Sequence, residues 1–98
     1  MDMDRAQTNR ASQASDVVTT WMGAATTVLD VRPELAAGGE PFVRIMEAAA
    51  QIPVGGSLVL VAPFEPVPLY GALQSRGFTH TTHQVAADEW VVRFTTAE

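Results

Sequence analysis

Asp30, Arg32 and Glu65 are the side chains here whose types and spacing best suit chemistry. Asp30 and Arg32 close the run Val28-Leu-Asp-Val-Arg32, and Glu65 follows the apolar run Leu58-Val-Leu-Val-Ala62. If those runs are neighbouring parallel strands, the three groups converge at their carboxyl ends, where open α/β sheets build ligand sites. Two carboxylates there suit a cation or amine, while Arg32 and free N–H groups at helix starts suit an anion. The competing reading is a structural ion pair in which Arg32 fixes the loops against Asp30 or Glu65. Glu40 stands before a helix-starting proline at the same edge. The segment Pro63-Phe-Glu-Pro-Val-Pro-Leu-Tyr70 adds Phe64, Pro66 and Tyr70. With Phe42, these aromatics line a pocket or a protein-binding surface, or else complete the core, and the core reading applies most strongly to Phe42.

Other constellations are weaker. His80 and His83 lie three apart on an expected strand and so point to opposite faces. A shared metal ion would need a turn or bulge between them, which leaves them weak metal candidates, and solvated strand histidines are the better reading. Ser57 and Ser75 have no nucleophile-elbow context. Gly38-Gly39 and Gly55-Gly56 precede no phosphate-loop lysine, and the chain has no lysine at all. No cysteine is present, which excludes disulfides, thiolate metal sites and persulfide chemistry. The residues assemble no catalytic set, so the expectation is a protein that is not an enzyme and carries no cofactor.

Composition bounds the partners. A chain of 98 residues holds one small domain, and a hydrophobic content of 47% is that of a folded globule. The formal charge of −5 lacks the basic footprint that nucleic acid or an anionic membrane requires. No apolar window reaches the length of a membrane span, and no signal peptide opens the chain, so a cytoplasmic protein is expected.

The elements that must hold these residues follow from periodicity. Residues 1–25 read as an N-terminal arm, flexible over Met1 to Ala14. Within it Ser15-Asp16 can cap a short helix carrying Val17, Val18, Trp21 and Met22, although an extended segment fits nearly as well. The domain proper spans 26–98. Thr26 to Val31 reads as a strand, after which Pro33 disfavours helix at Arg32 and opens a loop to Gly39. Pro41 starts a helix with Phe42, Ile45, Met46 and Ala49 on one face. Leu58 to Ala62 is apolar on both faces and so central. A second helix from Pro66 to Arg76 turns Leu69, Ala72 and Leu73 inward and ends at Gly77, which suits a left-handed cap. Strands at Phe78 to Val85 and Glu89 to Thr95 complete the chain. In the last, Trp90, Val92 and Phe94 alternate with Val91, Arg93 and Thr95 as in a half-buried strand. The fold class is α+β: a two-layer α/β sandwich, β-α-β-α-β-β, on a mixed four-stranded sheet. Its second face needs a cover, either the segment bearing Trp21 and Met22 or a second subunit, so monomer and homodimer are both open.

The set formed by Val28-Leu-Asp-Val-Arg32, Glu40-Pro41, the Pro63-Phe-Glu-Pro-x-Pro-Leu motif and Arg76-Gly-Phe78 resembles a bacterial family of unknown function. That family groups with the TusA/SirA-like sulfur carriers, and the likeness covers Thr26 to Thr95. The resemblance implies strand order 1-2-4-3 with the last strand antiparallel to the rest. In the carriers a Cys-Pro-x-Pro motif starts the first helix; here Gly38-Gly39-Glu40-Pro41 keeps the helix-starting proline and has glycine for the cysteine. Persulfide relay therefore does not transfer. The leading expectation is a non-catalytic binding or protein-interaction module with its surface at Asp30, Arg32, Glu40, Phe64, Glu65, Pro66 and Tyr70. The alternative is a small-molecule or metal-cofactor protein tied to redox, metal-sulfur or nitrogen-oxide metabolism, and a third reading is a docking partner of a sulfur carrier.

Overall fold

A strand apolar on both faces, Ser57–Ala62, centres one mixed sheet of four strands. A computed structural model describes residues 16–96; the flexible arm expected over Met1 to Ala14 lies outside them. Thr27–Asp30 (β1) runs parallel to Ser57–Ala62 (β2), and Val28 stands opposite Val59. Phe78–Ala86 (β3) and Glu89–Thr96 (β4) form a hairpin, and β4 pairs antiparallel with β2. The order is β1-β2-β4-β3, as the resemblance implied.

The helices follow from caps and apolar stripes. Residues 16–24 form α1, and Arg32–Ala36, Phe42–Ala50 and Val67–Gln74 form α2, α3 and α4. Ile45 and Ala49 of α3 and Leu69 and Leu73 of α4 bury against Leu58, Leu60, Val92 and Phe94. This is the main core, and each right-handed strand–helix crossover delivers its helix to the same face. Gly77 closes α4 with a φ of 91°, the left-handed conformation that favours glycine, and Phe78 behind it is buried.

The opposite face has its own small core. Trp21 of α1, only 7% exposed, packs on Val59, Val61 and Val91, with Val18 and Met22 beside it. The N-terminal segment thus supplies one of the two covers that this face required. Because of it, β4 differs from the expected half-buried strand: Val91 and Val92 are both fully buried, one on each face.

A second departure lies after β1. The segment from Pro33 was expected to be a loop, yet α2 begins at Arg32. Proline disfavours helix at the residue before it, but the Asp30 carboxylate accepts the Arg32 N–H at 3.0 Å and holds the chain in the turn. Pro33, in the first turn, needs no N–H of its own. The Glu34–Arg44 ion pair then ties α2 to α3.

Candidate functional site

The carboxyl ends of β1 and β2 do gather the expected residues, but sheet alternation divides them between two faces. Leu29, Leu58, Leu60 and Ala62 belong to the core under α3 and α4, whereas Val59, Val61 and Val91 face α1. By alternation Asp30 and Glu89 lie on the α1 side. The groove formed by α3, α4 and their loops lies on the other.

On the α1 side, Arg32 grips Asp30 with two side-chain bonds, Nε to Oδ1 at 3.0 Å and Nη2 to Oδ2 at 2.8 Å. Its Nη1 also lies 3.7 Å from Glu89 Oε2. The hydrogen bonds from Arg32 hold the Asp30 carboxyl below its usual range. Arg32 is raised for the same reason. Glu65 does not join this group. Its Oε2 accepts a hydrogen bond from the Tyr70 hydroxyl at 3.1 Å, and that hydroxyl also lies 2.6 Å from Thr82 Oγ1. Burial pushes the Tyr70 phenol up, and Glu65 adds to the effect while the bond to Thr82 opposes it. The convergence of Asp30, Arg32 and Glu65 is therefore corrected: Glu89 takes the place expected of Glu65.

On the α3/α4 side is an apolar groove of about 240 Å³. Aliphatic side chains including Val31, Leu35, Ile45 and Leu69 line it together with Phe42, Phe64 and three prolines, and Glu40 is its one charged residue. Phe42 was expected to complete the core, yet it is 44% exposed, and Phe64 is 52% exposed. Val43 and Val67, their neighbours along the chain, are exposed as well.

The helix starts beside the groove engage part of their N–H groups within the chain. Pro68 has no N–H, and those of Val67 and Leu69 go to Glu65 O and Pro66 O. The Phe42 N–H donates to Glu40 Oε1 at 2.7 Å, so the first donor of α3 is taken from within the chain. The groove thus receives apolar groups, and Glu40 sets the sign of any charge it accepts.

His80 and His83 do point to opposite faces. His80 stacks on Tyr70 with ring centres 3.7 Å apart, while His83 meets the edge of Trp21 at 6.3 Å. Among the described residues, no three His, Asp or Glu side chains group as metal ligands. The residues that sequence reasoning missed are Val31, Leu35 and Glu89. Val31 and Leu35 carry a sequence signal, since they stand four apart on the turn that became α2.

The fold and site define an α+β domain with a four-stranded mixed sheet and an apolar groove at the ends of its parallel strands. The chain belongs to the family described as uncharacterized conserved protein (DUF2249), whose model matches residues 28–96. Helix α1 precedes the matched segment. Comparison with curated proteins and with solved structures returns no match. Among the described residues, no helix is long and apolar enough to cross a membrane.

Proposed function

We propose that this cysteine-free DUF2249 domain is a non-catalytic protein-interaction module on a TusA/SirA-like scaffold. Its working surface is the groove between α3 and α4. The observation that carries the reading is that two half-exposed phenylalanines, Phe42 and Phe64, line the same apolar groove. Exposed apolar side chains gathered around one groove suit an interaction site. Strand order and the proline at the start of α3 support the scaffold assignment.

Size favours a protein partner over a cofactor. Sites for small molecules usually enclose about 300–1,000 Å³ and bury most of the ligand. At about 240 Å³ this groove holds one or two anchor side chains of a partner. Glu40, its one charge, selects a basic neighbour for that anchor. A lone carboxylate bonded to the backbone also lacks the second titratable group that acid–base catalysis uses. The partner is therefore an apolar segment flanked by lysine or arginine.

Panning a displayed random-peptide library on the full chain tests this. Enriched peptides should pair an aliphatic or aromatic residue with a neighbouring Lys or Arg, and should lose binding to Phe64→Asp. Peptides that bind Phe64→Asp equally well, or no enrichment at all, would refute the groove as the working surface.

A further inference from the structure

The two edges of the sheet are treated very differently by this sequence. β1 is four residues long, and its exposed end is closed by the Asp30–Arg32 ion pair. Short length and charge are the usual means of blunting an edge. β3 is nine residues long, Phe78-Thr-His-Thr-Thr-His-Gln-Val-Ala86, with no proline, lysine, arginine, aspartate or glutamate. Its pairing with β4 is regular from Phe78 to Gln84, and the only bulge comes after that, between Gln84 and Ala86. Among the described residues no strand pairs with its outer side. A regular edge of this length without acidic or basic residues presents unpaired N–H and C=O groups that another strand can complete.

We infer that the outer edge of β3 is a homodimer interface, where two copies join antiparallel into one eight-stranded sheet. Charge argues for a second copy. The chain carries −5 overall, so most surfaces repel their own duplicate, whereas β3 is a neutral strip. Self-complementarity argues the same way. Full overlap of the regular segment centres the two-fold axis on Thr81. Thr81 then faces itself, Thr79 faces His83, His80 faces Thr82 and Phe78 faces Gln84. Every threonine of the segment gains a cross-strand partner, and no formal charges oppose. The interface is separate from the groove, so each copy keeps its own.

Sedimentation velocity over a concentration series of the full chain is the first test, and the expected result is a monomer–dimer equilibrium. Thr81→Lys places two like charges at the axis and should give a monomer at every concentration, with an unchanged far-ultraviolet spectrum and melting midpoint once dimerisation is allowed for. Thr81→Cys supplies an independent test that does not require disruption. In a chain with no native cysteine, mild oxidation should give a covalent dimer far faster than for Val54→Cys, an exposed loop control. A wild-type chain that stays monomeric overturns the inference. So does a dimer that Thr81→Lys leaves intact, or cross-linking no faster at position 81 than at 54.

Discussion

Replacing Trp21 by alanine should cost this domain a large part of its stability, although the residue precedes the segment matched by the family. Trp21 is 7% exposed and is the largest side chain covering Val59, Val61 and Val91. Truncating a buried Trp to Ala typically costs about 3–5 kcal/mol. The Arg93 guanidinium, 5.0 Å above the indole, adds a cation–π contribution of about 0.5–1 kcal/mol, offset when Arg93 regains water. A loss of about 3–4 kcal/mol is therefore expected, against a total of about 5–15 kcal/mol for a typical domain. At about 4–8 °C per kcal/mol for a domain this small, the melting midpoint should fall by at least about 12 °C. Urea denaturation followed by circular dichroism measures the change. Because α1 would peel away before global unfolding, the denaturant slope should fall as well. A loss below about 1 kcal/mol with an unchanged slope would refute the packing argument and return the second face to another cover.

Asp30→Asn should cost about 1 kcal/mol or less at neutral pH, since the pair is some two-fifths exposed and solvent screens it. Asp30 is lowered in the folded state, so its contribution is complete above the unfolded carboxylate value and disappears as pH falls through the folded one. Variant and wild type should therefore differ in urea at neutral pH and converge in strong acid; a constant difference would contradict this. Tyr70 is the only tyrosine, so ultraviolet titration reads it directly. Its phenolate absorbance should emerge above the ordinary tyrosine value, and emergence at that value would contradict its burial. Gly77→Ala must adopt a φ of 91° and should cost about 1–2 kcal/mol in the same urea assay. No measurable loss would mean that the turn relaxes.

Much of the fold was legible because local signals agreed. Leu58 to Ala62 is apolar on both faces, and Gly77 stands where a helix must stop. The departures arose where one signal overrode another, near in the chain for α2 and far along it for Glu89. Pro33 disfavours helix at Arg32, but the Asp30 carboxylate accepts the Arg32 N–H and holds that turn. A helical wheel puts Phe42 with Ile45 and Ala49, yet the first turn of α3 lies over the groove at the strand ends, leaving Phe42 half exposed. Glu89 meets Arg32 only because β4 enters the sheet beside the end of β2, with Trp90 opposite Ala62. Spacing along the chain cannot reveal that pairing. The candidate residues do lie around the carboxyl ends of β1 and β2, but periodicity alone did not separate the ionic face there from the apolar one.

The most direct test of the binding surface is an amide NMR titration of the isotopically labelled full chain with an enriched basic-apolar peptide from the display experiment. The groove account predicts shifts concentrated at Val31, Leu35, Phe42, Val43 and Phe64, with the β3 amides unmoved. Phe42→Asp should weaken binding at least about 10-fold, a loss of about 1.4 kcal/mol, without lowering the melting midpoint, since an acidic residue suits the first turn of a helix. Shifts centred on the Asp30–Arg32–Glu89 cluster, or on β3, with the groove residues silent, would contradict it.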